Sequence, residues 1–286
     1  MKKVAIVTDT TACIPQEQVE RYDIEVVPVE LIFEDKAYRD GIDISPAEFY
    51  ALLRQAKKLP TTSTSSPSPY LETYRKASQR AESILCITES SKFSAMFNSA
   101  LVAEEMAKTA LPNVVIEVLE CATAAAGQGL VALAAAKAAA SGRNLNEVLG
   151  TAKSIMERVN LFATLDTLHY LVKGGRVPQA AALVNSLLKI KPVFTVNHGD
   201  AHTVALPRTT KSAIKRILKM MEQKVVKGQP LHVAVMHADA LDKAVVLRNR
   251  ISSQFDCAEL FITEFTPVMG VHTGPGLVGV AFYSGD

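Results

Sequence analysis

Three segments rich in hydroxyl or glycine residues each follow a short apolar run. They are Asp9-Thr10-Thr11 after residues 4–7, Ser90-Ser91-Lys92-Phe93-Ser94 after residues 84–87, and residues 121–127 after residues 114–119. Because open α/β sheets bind ligands at the carboxyl ends of their parallel strands, the pattern predicts a polar binding edge. A helix that starts at Ser94 would offer free N–H groups and a positive dipole end to an anion, although a simple N-cap role explains Ser94 equally well.

The segment at residues 60–69, PTTSTSSPSP, consists only of proline, serine and threonine. Such a composition is typical of a linker. It lies within the first predicted domain rather than between two domains, so an ordered loop that presents hydroxyl groups explains it at least as well.

The usual motifs of nucleotide and metal chemistry are missing or out of context. Gly274-Pro275-Gly276-Leu277-Val278-Gly279 matches G-x-G-x-x-G, but the seven residues that follow cannot supply the helix and strand of a dinucleotide fold. The sequence contains no G-x-x-x-x-G-K-[ST], H-E-x-x-H or G-x-S-x-G, and its six histidines lack metal-ligand spacing. We therefore expect no cofactor, no metal and no catalysis by this chain alone.

Short apolar runs alternate with helical patterns in the first half of the chain. The runs lie at residues 4–7, 24–33, 84–87 and 114–119. A helix over 46–57 is indicated by Ser45 as N-cap, Pro46 at the first position and Glu48 in a capping box, and two more are predicted over 129–140 and 148–156. This alternation predicts an N-terminal α/β domain, residues 1–159, with a mainly parallel sheet.

From residue 160 the apolar runs are separated by turns as well as helices. They lie at residues 161–165, 192–196, 202–206, 231–236, 260–265 and 277–283. This spacing predicts a C-terminal α+β domain, residues 160–286, with a mixed or antiparallel sheet. The fold class is therefore α/β with two domains.

Composition limits the partners and the compartment. The 286 residues are 48% hydrophobic and carry a net charge of +2, so no overall field favours nucleic acid or an acidic membrane. The four cysteines show no C-x-x-C spacing, which fits a reducing compartment, and Asp9 ends the first apolar run too early for a secretory leader. Since no apolar run approaches about 18 residues, we expect a cytoplasmic protein without a membrane span.

Positive charge is concentrated in one stretch of the C-terminal half. Residues 167–221 contain a single acid, Asp200, and nine bases: Lys173, Arg176, Lys189, Lys191, Arg208, Lys211, Lys215, Arg216 and Lys219. Solvated helix faces explain this pattern. A docking face for an acidic or phosphate-bearing partner explains it too, whereas the near lack of an exposed-aromatic pattern for base stacking disfavours nucleic acid.

Several short segments, taken in order, resemble the DegV family along essentially the whole chain. They are Val7-Thr8-Asp9-Thr10-Thr11-Ala12, Arg39-Asp40-Gly41, Pro60-Thr61-Thr62-Ser63, Ser90-Ser91-Lys92-Phe93-Ser94, Gly127-Gln128-Gly129-Leu130, Tyr170-Leu171-Val172-Lys173-Gly174-Gly175-Arg176, Ile190-Lys191-Pro192 and His272-Thr273-Gly274-Pro275-Gly276. The resemblance implies a two-domain protein that holds a long-chain fatty acid. It also implies that the fatty acid is presented to a separate fatty acid kinase subunit, which makes acyl phosphate from ATP.

The resemblance also assigns residues to the fatty acid's carboxylate. Thr62 and Ser94 correspond to hydroxyl donors, the N–H of Ala95 completes the cradle, and His272 corresponds to a histidine near the head group. Arg176 and Arg208 match basic positions associated with the kinase subunit.

Two positions depart from the family pattern. Ala95 stands where the family usually has glycine, which calls into question the amide contact. Thr64-Ser65 stands where Gln-Pro is more frequent, which suggests a looser loop.

Two other functions are compatible with the sequence. The chain could be a small-molecule kinase or transferase that holds phosphates at Asp9, Ser94 and Gly127-Gln128-Gly129. Alternatively, it could be a sensor or interaction protein in which lipid is structural and the basic stretch binds a different partner. Nucleotide-dependent stabilisation without lipid would favour the first, and partner binding that ignores lipid occupancy would favour the second.

Overall fold

The computed structural model describes residues 2–63, 66–177, 180 and 190–286. The strands are β1 (Lys2–Asp9), β2 (Glu25–Val27), β3 (Glu30–Phe33), β4 (Lys36–Arg39), β5 (Thr61–Thr62), β6 (Ala81–Thr88), β7 (Val115–Glu120), β8 (Asn160–Thr164), β9 (Val193–Asn197), β10 (Asp200–Ala205), β11 (Leu231–His237), β12 (Glu259–Glu264) and β13 (Val278–Ser284). Lys189 of the basic stretch and the pair Thr64-Ser65 lie outside the described residues.

The helices in the described part of the chain surround these strands. They are α1 (Gln16–Tyr22), α2 (Pro46–Gln55), α3 (Pro67–Ser78), α4 (Met96–Ala110), α5 (Ala126–Ala140), α6 (Leu145–Arg158), α7 (His169–Gly174), α8 (Thr210–Lys224), α9 (Leu241–Gln254) and α10 (Pro267–Thr273). A short 3-10 helix, Thr10–Ala12, follows β1.

The N-terminal half contains a parallel sheet in the order β2-β1-β6-β7, which confirms the predicted mainly parallel sheet. The predicted apolar run at 24–33 is not one strand but two. Glu25–Val27 pairs in parallel with β1, whereas Glu30–Phe33 joins an antiparallel sheet with β4 and β5. Pro28 lies between them, and its missing N–H and fixed φ end the ladder at that point.

The C-terminal half contains a six-stranded sheet in the order β10-β9-β8-β13-β11-β12. Its pairs are antiparallel except for β11 with β12, so the predicted mixed sheet is confirmed. Helix α6 ends at Arg158 and β8 begins at Asn160. The division into domains at 159 and 160 remains a prediction.

Helix α5 lies between the two sheets. It contacts β1 on one side and β11 and β13 on the other, and nearly all of its residues are buried. Its alanine-rich sequence suits this position, because small side chains let both sheets approach closely. At Gly129 a Cβ atom would lie 2.5 Å from the carbonyl oxygen of Ala12, so glycine is needed for that approach.

The predicted capping box at the start of α2 is confirmed, and the three predicted helices are present with bounds that differ by two to three residues at one or both ends. Ser45 accepts a hydrogen bond from the N–H of Glu48, and the Glu48 carboxylate accepts one from the N–H of Ser45 at 2.9 Å, which completes the capping box at α2.

All four cysteines are free thiols. No helix in the described part of the chain has the length and apolar content that a membrane span requires.

Candidate functional site

An internal cavity of about 170 Å³, which we call the inter-sheet cavity, lies between the two halves of the protein. The C-terminal sheet supplies an apolar wall that includes Leu161, Ala163, Phe194 and Met236, all of them buried. The N-terminal half and α10 supply most of the polar lining: Thr11, Thr62, Ser63, Glu89, Ser94, His272 and Thr273. The cavity therefore combines an apolar wall with a group of hydrogen-bonding side chains.

Thr62 and His272 meet in the cavity, although they lie 210 residues apart in the chain. Thr62 is held on β5, where it pairs with Leu31 of β3, and His272 is held on α10. Thr62 Oγ1 lies 3.2 Å from His272 Nε2. The structure therefore brings together two residues that the resemblance had assigned to the same head group.

His272 is neutral at ordinary pH. Burial, together with the positive charge of Arg176, lowers the pKa of His272 to about 4. Its Nδ1 atom is buried and has no hydrogen-bond partner among the described residues. With the proton on Nε2, the imidazole donates to Thr62 Oγ1 and leaves the threonine's own hydrogen free to donate to a ligand.

Ser94 and Ala95 lie at the start of α4. The helix begins at Met96 rather than at Ser94, and Ala95 is its N-cap. Ser94 Oγ accepts a hydrogen bond from the N–H of Met96 at 3.2 Å, so the serine also has the local capping function that the sequence left open. Ala95 has φ −84°, a conformation open to any residue, so the backbone does not require glycine there.

Arg176 contacts the same group of residues from the end of α7. Its Nη2 donates to Thr62 Oγ1 at 3.5 Å and its Nε donates to the carbonyl oxygen of Phe93 at 3.4 Å. Arg176 is exposed but lines the inter-sheet cavity. Arg208 is exposed between β10 and α8 and is not among the described residues that line the cavity.

Glu89 is a cavity residue that the sequence did not single out. It directly follows β6, and only 6% of it is exposed. The nearby Ser94 hydroxyl partly offsets the effect of burial on its pKa. Burial raises its pKa to about 8, with a further contribution from the charge of Asp9. In the sequence, the only indication of its role was its place between an apolar strand and a serine-rich loop. That pattern does not predict that the carboxyl group is buried.

Glu89 belongs to a wider set of buried acids, Asp9, Asp40 and Glu89, which we call the buried carboxyl cluster. Burial raises the pKa of Asp9 to about 6 and that of Asp40 to about 7. Asp40 accepts a hydrogen bond from the N–H of Val268 at 3.3 Å. Near neutral pH, Glu89 is therefore mostly protonated, Asp40 is about half protonated and Asp9 is mostly ionised.

One segment of the phosphate-binding alternative, Gly127-Gln128-Gly129, is packed inside the protein. Gln128 is fully buried in the first turns of α5 and donates to Thr8 Oγ1 at 3.1 Å and to Asp9 Oδ2 at 3.3 Å. A Cβ atom on Gly127 would meet the Thr123 side chain. The segment Gly127-Gln128-Gly129 thus packs α5 against β1, and its polar groups bond within the protein rather than facing a ligand.

The turn at Gly274 to Gly276 is also structural. Gly274 has φ +65° and lies against the Tyr170 ring, while the N–H of Gly276 donates to the carbonyl oxygen of Ala238 at 2.7 Å. A strand, β13, follows it, as expected from the exclusion of a dinucleotide fold. Among the described residues no group of three or more histidine, cysteine, aspartate or glutamate side chains could hold a metal ion.

A family model described as an uncharacterised protein of the DegV family matches residues 3–285. The chain belongs to the DegV family. A DegV domain-containing protein of Streptomyces coelicolor is 33% identical over 285 residues, with 99% of both chains covered.

Two solved DegV structures share this fold closely. The DegV family protein from Thermus thermophilus, for which fatty acid binding is described, is 29% identical with a TM-score of 0.90, covering 99% of this chain and 100% of its own. DegV from Bacillus subtilis, described as a fatty acid binding protein, is 28% identical with a TM-score of 0.89 and the same coverage. The expected family and fold class are therefore confirmed.

Proposed function

We propose that this chain binds a long-chain fatty acid in the inter-sheet cavity and presents the carboxylate to a separate kinase subunit for acyl-phosphate formation. The observation that carries the proposal is the cavity itself, whose apolar wall adjoins Thr62, Ser94 and His272. Fatty acid binding by DegV proteins of Thermus thermophilus and Bacillus subtilis supports it.

Most of the affinity comes from the hydrocarbon tail. Burying a methylene group contributes ~0.8 kcal/mol, so a chain of about 16 carbons has a gross driving force on the order of 10 kcal/mol before the cost of ordering it. The side chains that face the tail, such as Leu161 and Phe194, offer no polar group to hold it in one orientation. Orientation must therefore come from the polar residues of the cavity.

The carboxylate is held by the hydroxyl groups of Thr62 and Ser94, with the N–H of Ala95 and the imidazole of His272 in support. Thr62 can donate its hydrogen to the carboxylate because its oxygen can accept hydrogen bonds from His272 Nε2 at 3.2 Å and from Arg176 Nη2 at 3.5 Å. Hydrogen bonds to a charged group contribute about 1.5–3 kcal/mol each. These bonds determine which end of the lipid faces the kinase.

The proposed kinase contact includes Arg176 and Arg208, both of which are exposed. The bases on α8, Lys211, Lys215, Arg216 and Lys219, also face solvent, while Ile214 and Ile217 face the core. This surface suits a partner that carries ATP and acidic groups. Since Arg176 also bonds to Thr62 Oγ1, it links the carboxylate site to the partner surface.

Denaturing extraction followed by mass spectrometry tests the lipid. We expect a long-chain fatty acid to co-purify in about equimolar amount with the protein. Purified protein that carries no fatty acid, and that takes up none when palmitate is supplied, would contradict the proposal.

Incubation with ATP, Mg²⁺ and palmitate tests whether this chain forms acyl phosphate by itself or needs a separate kinase subunit. We expect no acyl phosphate until a kinase subunit is added, because the sequence contains no phosphate loop. Acyl phosphate formed by this chain alone, or thermal stabilisation by nucleotide without lipid, would favour the kinase or transferase alternative.

A further inference from the structure

Glu89 has the geometry of a group that acts on the lipid's carboxylate through Ser94. Both residues line the inter-sheet cavity, Glu89 is buried, and the hydroxyl of Ser94 is near enough to lower the pKa of the Glu89 carboxyl. A hydroxyl that donates to Glu89 cannot donate the same hydrogen to a lipid. A Ser94 hydroxyl that binds a carboxylate must therefore point its hydrogen away from Glu89.

We propose that Glu89 is a positioning residue for the lipid head group, which in its neutral form donates its proton to Ser94 Oγ and so directs the serine hydrogen toward the bound carboxylate. The inference rests on the proposed function, since it concerns the same carboxylate site. The arrangement parallels the other side of the site, where His272 Nε2 lies 3.2 Å from Thr62 Oγ1. Each hydroxyl that faces the lipid is then supported by a proton donor behind it.

Repulsion gives the second reason for a neutral Glu89. An ionised Glu89 would be a buried negative charge that lines the same cavity as Ser94 and the proposed carboxylate of the lipid. Two like charges in one cavity disfavour each other strongly in a low-dielectric interior. Lipid binding above the pKa of Glu89, which lies at about 8, therefore takes up one proton from the solvent.

The other charged groups around Glu89 do not titrate in the alkaline range. Asp9 has a pKa of about 6 and is ionised there, whereas His272, with a pKa of about 4, is neutral. The guanidinium of Arg176 lowers the pKa of Glu89, and burial holds the pKa of Tyr70 far above its usual value. Asp40, whose pKa is about 7, is retained in every variant below, so comparison between variants cancels its effect.

Equilibrium dialysis of delipidated full-length chain with radiolabelled palmitate tests the inference at pH 7, 8 and 9. The variants are wild type, Glu89→Gln and Glu117→Gln, where Glu117 is an exposed glutamate on β7 that serves as the matched control. The glutamine amide donates to Ser94 Oγ at every pH. At each pH, the Kd of each protein is divided by that of Glu89→Gln. The ratio cancels the effect that protonation of palmitate itself has on every Kd.

We expect the relative Kd of wild type to rise about tenfold from pH 7 to pH 9, because a pKa of about 8 leaves few neutral Glu89 side chains at pH 9. Glu117→Gln should follow wild type. A relative Kd that stays constant would overturn the role of Glu89 while leaving fatty acid binding intact. No saturable palmitate binding to wild type at any pH would instead overturn the proposed function.

Proton uptake by wild type alone provides a test that does not depend on the folding of a variant. Calorimetric titration in two buffers of different ionisation enthalpy should give uptake of nearly one proton per palmitate at pH 9 and about 0.1 at pH 7. Equal uptake at the two pH values would contradict the inference.

Discussion

Removal of the Thr62 hydroxyl is the most direct test of how the carboxylate is held. Thr62→Val keeps the shape of the side chain and removes the oxygen that lies 3.2 Å from His272 Nε2 and 3.5 Å from Arg176 Nη2. The lost bond to a charged ligand corresponds to about 1.5–3 kcal/mol, so the Kd for palmitate should rise about 10- to 150-fold. Thr62→Ser, which retains the hydroxyl, should bind within a few-fold of wild type.

The same variant must also be tested for a loss of stability. Thr62→Val leaves His272 Nε2 without its bond, and a buried unpaired donor costs about 1–3 kcal/mol. Urea denaturation of the lipid-free chain measures this cost separately from binding. Affinities are then compared only under conditions in which both proteins are fully folded.

A comparison of palmitate with methyl palmitate separates head-group binding from tail binding. The ester carries the same tail without the negative charge, so wild type should prefer the acid and Thr62→Val should lose most of that preference. The assay is displacement of a fluorescent fatty acid from the delipidated chain. If folded Thr62→Val binds palmitate within twofold of wild type, or loses acid and ester equally, the assigned carboxylate site is wrong.

Three further predictions follow from other parts of the site. Ala163→Phe should place a ring in the cavity and weaken palmitate binding at least tenfold, since each displaced methylene costs ~0.8 kcal/mol; unchanged affinity in the dialysis assay would mean that the tail lies elsewhere. Gly174→Ala would set a Cβ atom 2.7 Å from His272 Nδ1 and should lower stability by about 1–3 kcal/mol, whereas Gly150→Ala, in an open helical position, should raise it slightly in the same denaturation series; equal effects would contradict the packing. Between pH 6.5 and 8 the free energy of unfolding of the lipid-free chain should fall by roughly 1.5 kcal/mol more in wild type than in Glu89→Gln, because Glu89 has a pKa of about 8 when folded and an ordinary one when unfolded, so the folded state binds more protons; Asp40, with a pKa of about 7, lowers the stability of both proteins, and equal falls in the two would refute this.

The elements of the fold could largely be predicted from local patterns. The capping box at Ser45, the alanine-rich α5 and the six strands after residue 159 all follow from spacing over a few residues. Periodicity and capping depend on near neighbours in the chain, which the sequence displays directly. The apolar run at 24–33 did not show that it holds two strands, since β2 and β3 on either side of Pro28 belong to different sheets.

The candidate site could be predicted only in part. Thr62, Ser94, Ala95 and His272 were identified through the order of short segments, and the structure brings all of them to the inter-sheet cavity together with Arg176. Arg208 is not part of the lining among the described residues, and its contact with a partner remains a prediction. Glu89 was missed because a glutamate after a strand is usually solvated, and only the packing around it shows otherwise.

The sequence by itself determined the types of element, the positions of the hydroxyl-bearing loops and membership of the DegV family, because each of these depends on residue identity and short-range order. The tertiary structure decided that the loops of one sheet face an apolar wall from the other, and that Thr62 meets His272 across 210 residues. It also decided the protonation of Glu89, since a pKa depends on desolvation and on charges that come from distant parts of the chain. A cavity and its electrostatics depend on surfaces that folding brings together from distant parts of the chain, and for that reason short-range sequence patterns do not predict them.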